Sequence, residues 1–108
     1  MVELRLIGIV TSEGAVEILE FLKEAKTAHF NDFRTIKNAR TGRIFSANTL
    51  SAKLKLLEEA GAIERIVSTS PKRRNVVAYR MTKSGGRSLE AIYRCEKELG
   101  TMLGHPAV

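Results

Sequence analysis

Apolar residues recur at intervals of three and four along EGAVEILEFLKEA, residues 13–25, which predicts a first amphipathic helix. Thr11 and Ser12 precede this stretch, and either offers a side-chain oxygen for the N-cap. The apolar stretch Leu4–Val10 fits a short strand or a helix equally. HFNDFRTIK, residues 29–37, predicts a shorter second helix with Asn31 as its cap, and the following NARTGR reads as a glycine-containing turn.

A third helix is predicted from the leucine stripe in SANTLSAKLKLLEEAG. Ser46 or Asn48 caps its start. Gly61 suits the left-handed position that follows a helix and ends it there. The residues predicted to face the core are Ala47, Leu50, Leu54 and Leu57.

Two runs rich in Ile, Val and Tyr, Ala62–Ser68 and Val76–Met81, predict the strands of a hairpin whose tip is TSPKRRN. Thr82 caps a final helix that runs to about Leu103, with an apolar stripe broken by Glu96. The order is helix-helix-helix-strand-strand-helix. It predicts a mainly α fold with a small antiparallel β-hairpin, the winged helix-turn-helix arrangement.

Length and composition are those of one globular domain, residues 1–108, with 44% apolar and 28% charged residues. The single cysteine, Cys95, cannot form an internal disulfide, so nothing indicates an oxidising compartment. The longest apolar run is too short to span a bilayer and lacks the features of a signal peptide. We therefore expect a cytoplasmic protein with no membrane partner.

The net charge of +6 is concentrated in the middle of the chain. Residues 31–87 hold thirteen bases and four acids, a balance of +9, whereas residues 1–30 carry −2 and residues 88–108 carry −1. A segregated positive field favours a polyanionic partner, either nucleic acid or an anionic membrane surface. A solvated basic surface without a partner explains the charge alone equally well.

The third helix has an unusual order of charges. Its polar face begins with small polar groups and lysines and ends with Glu58 and Glu59, although helix stability alone favours acids first. A helix N-terminus attracts phosphate, and in a helix-turn-helix the first residues of the second helix reach base edges in the major groove. The charge order therefore fits a helix that meets an anion at its start. The predicted base contacts are Asn48, Thr49, Ser51, Ala52 and Lys55.

These side chains have the appropriate chemistry. Asn48 can pair with adenine through two hydrogen bonds, and Lys55 can reach guanine or the backbone. Thr49 and Ser51 can bond bases or phosphates. The alternative is a solvated amphipathic helix whose polar residues contact no partner.

The hairpin tip supplies a second candidate anion site, because three consecutive bases lie there without a nearby acid. Contacts of this kind position a protein on DNA without reading its sequence. The alternative is a solvated loop. Further backbone contacts are predicted around the second and third helices. The full set of predicted backbone contacts is Arg34, Arg43, Ser46, Lys53, Lys72, Arg73 and Arg74.

FSANTLSAKLKLLEEAGAIERIV and VVAYRMTKSGGRSL together resemble winged-helix transcriptional regulators of the HxlR type and related archaeal regulators. HFNDF is also similar to the second helix of that family, and the resemblance covers roughly residues 15–99. It implies a homodimeric regulator that binds double-stranded DNA, with dimer contacts from the terminal helices. The chain departs from the family in the connection Asn38–Arg43, which is a few residues longer than the family's tight turn. It also has no cysteine near the N-terminus, so thiol sensing is not implied.

The final helix, residues 82–103, is the predicted dimerisation helix, because its apolar stripe extends beyond what one small core needs. The stripe could instead pack on its own domain. No separate ligand domain is present, so a pocket for an effector of unknown identity would lie at the dimer interface. The predicted dimer contacts are Leu89, Ile92, Tyr93, Leu99, Met102 and Leu103.

No catalytic grouping, metal-ligand spacing or cofactor motif occurs in the sequence, so we expect no enzyme, no metal and no cofactor. Gly85 and Gly86 follow the cap of the last helix and indicate close packing or a loose first turn rather than a phosphate cradle. A second functional hypothesis is a winged-helix interaction module that binds an acidic protein partner. The three bases at the wing tip favour DNA over that alternative.

Overall fold

The computed structural model describes residues 4–69 and 75–105. This part of the chain holds helices around a small antiparallel sheet, which confirms the mainly α winged helix-turn-helix class. The elements in chain order are α1 (Arg5–Val10), α2 (Ala15–Ala25), β1 (Thr27–His29), α3 (Phe30–Phe33), α4 (Ala47–Glu59), β2 (Ile63–Thr69), β3 (Asn75–Met81) and α5 (Lys83–Met102).

The apolar stretch at the N-terminus forms a helix, α1. Thr11 and Ser12 were expected to cap α2, but their hydroxyls donate to carbonyls of α1, at Ile7 and Ile9, and so close that helix. The N-cap of α2 is instead Gly14, whose φ of +91° is in the left-handed region. A sharp change of direction between α1 and α2 therefore requires glycine at this position.

The second predicted helix is much shorter than expected. It spans only Phe30–Phe33, and its N-cap is His29, whose N–H donates to the Asp32 carboxylate over 2.9 Å. The predicted cap at Asn31 is therefore wrong. Beyond this turn the chain reverses, and Lys37 pairs with Ile44 in an antiparallel bridge, so the helix cannot continue to residue 37.

The hairpin is confirmed, with Ile63 opposite Met81 at its base. A third strand, β1, joins the free edge of β3 and places Ala28 opposite Tyr79. The sequence does not reveal β1, because it is three residues long and buries only Ala28. The sheet order is therefore β1-β3-β2.

The core lies between α2, α4, the sheet and the start of α5. Leu50, Leu54 and Leu57 are buried as predicted, whereas Ala47 is exposed in the first turn of α4. The caps of the two long helices are also as predicted. Ser46 accepts from the N–H of Thr49 over 3.1 Å in α4, and Thr82 accepts from the N–H of Gly85 over 2.9 Å in α5.

Candidate nucleic-acid interface

The outer face of α4 is polar and open along its length. Asn48, Ser51, Ala52 and Lys55 are all exposed, whereas Thr49 is half-buried. No acid occupies the first turn of this helix. The structure thus brings the five predicted base-contact residues onto one accessible surface. This surface begins at the end of the helix where the macrodipole is positive.

Ser46 and Thr49 organise the start of α4. The Ser46 oxygen accepts the N–H of Thr49, and the two hydroxyl oxygens lie 2.9 Å apart. This arrangement satisfies one of the free N–H groups of the first turn and leaves the others open. The helix start can therefore still donate to an anion.

A shallow cavity of about 620 Å³ lies in front of this helix start. It brings Arg34 of the α3 end and Ser46 together, two of the residues predicted to contact a DNA backbone. Lys53 is half-buried, and its stem packs near Gly14, within 3.5 Å of where a Cβ would be. The residues that line the cavity are Asn31, Arg34, Ile44, Phe45, Ser46 and Ala47.

Three of the four acids in the basic segment are already engaged with neighbours. Asp32 accepts from the His29 N–H, Glu58 from Arg65, and Glu64 from Arg80. Among the described residues, the bases around the start of α4 form no ion pair. Their side chains are therefore not held by a neighbouring carboxylate and remain available to an anion. These bases are Arg34, Lys37, Arg40, Arg43, Lys53 and Lys55.

Glu58 has a structural role that sequence reasoning missed. Arg65 Nε of β2 donates to Glu58 Oε2 over 3.0 Å, which joins the end of α4 to the wing strand. The pair lies beside a cleft of about 470 Å³ between α4 and the sheet, which Ser51 and Lys55 also line. The pairing of Glu58 with Arg65 is visible only in the structure, because no helical or strand repeat relates the two residues.

The tip of the wing, with Lys72, Arg73 and Arg74, lies outside the described residues. The strands that lead to it are described, and Arg65 and Arg80 on them are both paired with acids. The free positive charge of the described wing is therefore small compared with that around α4.

The six predicted dimer contacts differ in exposure. Leu89 is 1% exposed and belongs to the core of its own chain, so it is not available to a partner, which corrects that prediction. Ile92 is half-buried at the edge of a groove. The other four lie on the surface of α5 or at its end: Tyr93, Leu99, Met102 and Leu103.

The groove lies between α1 and α5 and has a volume of about 670 Å³. Helix α1 buries none of its own residues, although it is almost wholly apolar. Of the ten large apolar side chains exposed in the described residues, seven lie on α1, on α5 or at their ends. Four of these seven, Leu4, Leu6, Ile7 and Leu99, line this groove, and apolar surface of this extent is typical of an interface. The family resemblance implies dimer contacts from the terminal helices, but none of the predicted contact residues lies on α1.

Tyr93 also joins α5 to α2. Its hydroxyl donates to Glu20 Oε2 over 2.8 Å, and the Lys23 ammonium lies 5.8 Å from the centre of its ring. Partial burial raises the pKa of Tyr93 to about 12, and the hydrogen bond to Glu20 and the charge of that carboxylate add to the effect. The last helix is thereby fixed against the helix that supports α4.

Within residues 4–69 and 75–105, no helix is long and apolar enough to cross a membrane. No cluster of three or more metal-ligating side chains occurs in the same ranges.

The model of the HxlR-like helix-turn-helix family matches residues 9–106. A candidate transcriptional regulator from Salmonella typhimurium, ytfH, is 25% identical, with a TM-score of 0.65 over 92% of this chain and 83% of its own. The reduced form of the transcriptional regulator YodB from B. subtilis is 19% identical, with a TM-score of 0.67 over 96% of this chain and 93% of its own. A candidate transcriptional regulator from Thermoplasma acidophilum is 20% identical, with a TM-score of 0.58 over 97% of this chain and the full length of its own. No curated protein sequence matches the chain.

The two solved structures below 25% identity share the fold, and the family match extends through both the helix-turn-helix and the hairpin. The chain is a member of the HxlR-like helix-turn-helix family.

Proposed function

We propose that this protein is a homodimeric transcriptional regulator that binds double-stranded DNA in a sequence-dependent manner. The start of α4 enters the major groove, where Asn48, Ser51 and Lys55 meet base edges. The wing tip at residues 72–74 lies on the backbone or in the minor groove and contributes affinity without specificity.

The observation that carries the proposal is a group of bases that form no salt bridge, among the described residues, around a helix start whose first turn has no acid. Asp32 and Glu58 accept hydrogen bonds from other groups, and no salt bridge of the described residues holds the bases around α4, so these bases are available to phosphates. A duplex carries one negative charge per about 1.7 Å of its axis, so such a surface gains affinity through counterion release. Specificity then requires side chains that reach base edges, and the exposed face of α4 supplies them.

The apolar surface of α1 and α5 supports the dimer. An apolar helix that buries none of its residues in its own chain is stabilised when a second copy covers it. A two-fold axis through these helices gives two α4 helices for half-sites about 34–36 Å apart. The proposed contacts are Ile92, Tyr93, Leu99, Met102 and Leu103, with Leu4, Leu6 and Ile7 of the α1 region.

The test is fluorescence anisotropy with a random-sequence duplex and two matched variants, Lys55→Glu and Lys97→Glu. Both residues are exposed on helices, and the two changes alter the net charge equally. Lys55 lies on α4, whereas Lys97 lies on α5. On a random-sequence duplex Lys55 can reach the backbone in place of a base. We therefore expect Lys55→Glu to lose at least about eightfold in affinity at 0.1 M salt, the contribution of one phosphate contact, and Lys97→Glu to lose little.

Equal losses in the two variants would show that only net charge matters and would contradict the proposed interface. Absence of binding by the unmodified protein at low salt would contradict DNA binding itself. The basic surface would then point to an acidic protein partner. The molar mass of both variants, measured by light scattering, confirms that neither change alters the oligomeric state.

A further inference from the structure

The connection between α3 and α4 is a compact loop built around one buried side chain, Asn38. Only 6% of Asn38 is exposed, and it is the one buried polar residue among those described. Its neighbours Ile36 and Phe45 are also buried and belong to the core, so both ends of the loop are fixed. An amide is buried without cost to stability only when its hydrogen bonds are satisfied.

Every polar group of Asn38 is engaged within the loop or with α2. Its side-chain oxygen accepts from the N–H groups of Arg40 and Thr41, over 2.8 and 3.3 Å. Its backbone N–H donates to the Arg43 carbonyl, and its carbonyl accepts from the Gly42 N–H, each over 2.8 Å. The loop is therefore closed on itself around a single residue.

Two acids of the α2 region hold this loop from outside. The Asn38 side-chain amide donates to the Glu13 carboxylate, and the Ala39 N–H donates to Glu17 Oε2 over 3.2 Å. Glu13 and Glu17 thus accept hydrogen bonds from the loop. Arg40 and Arg43 are exposed on the same loop, three residues apart.

We infer that Asn38 is a positioning residue, which holds Arg40 and Arg43 as a preformed contact for duplex phosphates beside the start of α4. This inference rests on the proposed DNA-binding function and extends it to the loop between α3 and α4, where Arg43 is already a predicted backbone contact and Asn38 is not. A rigid loop loses little conformational entropy when its arginines bind phosphate, so each contact contributes more to affinity than on a mobile loop.

The test is a double-mutant cycle in the full chain, measured as affinity for a random-sequence duplex across a salt series. Glu13→Gln keeps an acceptor for the Asn38 amide. Asn38→Asp places a second carboxylate against that of Glu13 and removes the hydrogen bond between the two side chains. The combination Asn38→Asp with Glu13→Gln restores a hydrogen bond of reversed direction and keeps the net charge of the natural protein. We expect Glu13→Gln to bind normally, Asn38→Asp to bind several-fold more weakly, and the combination to regain most of the affinity.

A second pair of variants distinguishes a loss of phosphate contacts from a loss of stability. Arg40→Ala with Arg43→Ala should reduce the slope of log affinity against log salt by about 1.8, since each phosphate contributes about 0.9. Asn38→Ala should reduce the slope in the same direction. A merely structural role would lower the Tm of Asn38→Ala and leave the salt slope unchanged, and that result would overturn the inference.

The two proposals fail in different ways. If the natural protein binds the duplex but the loop variants match it in affinity and slope, the loop inference is wrong and the DNA-binding proposal stands. If the natural protein does not bind the duplex at all, both are wrong.

Discussion

Gly85 lies directly against the carbonyl of Ala62. A Cβ added to Gly85 would be 1.9 Å from the Ala62 oxygen, far inside van der Waals contact. The same carbonyl accepts from the N–H of Thr82 over 3.0 Å, and the Thr82 hydroxyl also lies within hydrogen-bonding distance of it. The start of α5 is therefore seated on the turn between α4 and β2, and glycine is needed because the backbones are in contact. Close packing, as predicted for this pair of glycines, is thus confirmed for Gly85.

We predict that Gly85→Ala lowers the free energy of unfolding by about 2 kcal/mol, because the added methyl group must displace backbone. Gly86→Ala is the matched control. The atom nearest to its added Cβ is the terminal methyl carbon of Met81, at 3.6 Å, so that change should stabilise the helix by about 0.5 kcal/mol. Urea denaturation of the two variants measures both effects. Equal stability of the two would contradict the packing of α5 described here.

The bond between Tyr93 and Glu20 predicts a distinct alkaline titration. The pKa of Tyr93 is about 12 in the folded chain against an ordinary 10.0, so the unfolded chain releases this proton first. The stability that Tyr93 contributes is present below pH 10 and is lost as the pH rises through 12. Tyrosinate absorbance should therefore show a phase near pH 12 that Tyr93→Phe removes and Glu20→Gln moves to lower pH. A natural protein in which Tyr93 titrates near 10.0 would contradict this contact.

If the protein dimerises through the apolar groove, a charge placed in the groove should lower the molar mass in solution. Light scattering should give about 24 kDa for the natural protein, twice the 12.0 kDa of one chain. Leu99→Glu places a charge in the groove, where burial is costly, and should give a monomer. Val77→Glu is the matched control, since Val77 is also 46% exposed but lies on the wing strand β3. A dimer in both variants would show that the interface does not lie at the groove between α1 and α5.

The elements with a long periodic pattern were predictable from the sequence. The leucine stripe and the Ser46 cap of α4, the two hairpin strands and the Thr82 cap of α5 are all present in the structure. These features are local, because spacing along one element or one capping side chain is enough to specify them. The polar face of α4 was predictable for the same reason.

The elements that depend on distant partners were not predictable. Strand β1 exists because the edge of β3 is available to it, and the short α3 ends because Lys37 pairs with Ile44. Leu89 was assigned to a partner chain because its helical stripe does not indicate which of its members face the core. The pairing of Arg65 with Glu58 and the anchoring of Asn38 by Glu13 likewise join residues that no repeat relates.

The most direct test of the central claim, binding to DNA through α4 and the wing, is a salt series with the natural protein and a variant in which Lys72, Arg73 and Arg74 are all alanine. We expect the log affinity of the natural protein for a random-sequence duplex to fall linearly with log salt. For the variant we expect a slope smaller by about 2.7, at about 0.9 per phosphate. No binding by the natural protein at the lowest salt would show that the protein does not bind DNA in this way. An unchanged slope in the variant would show that the wing makes no phosphate contact and that the DNA binds through α4 alone.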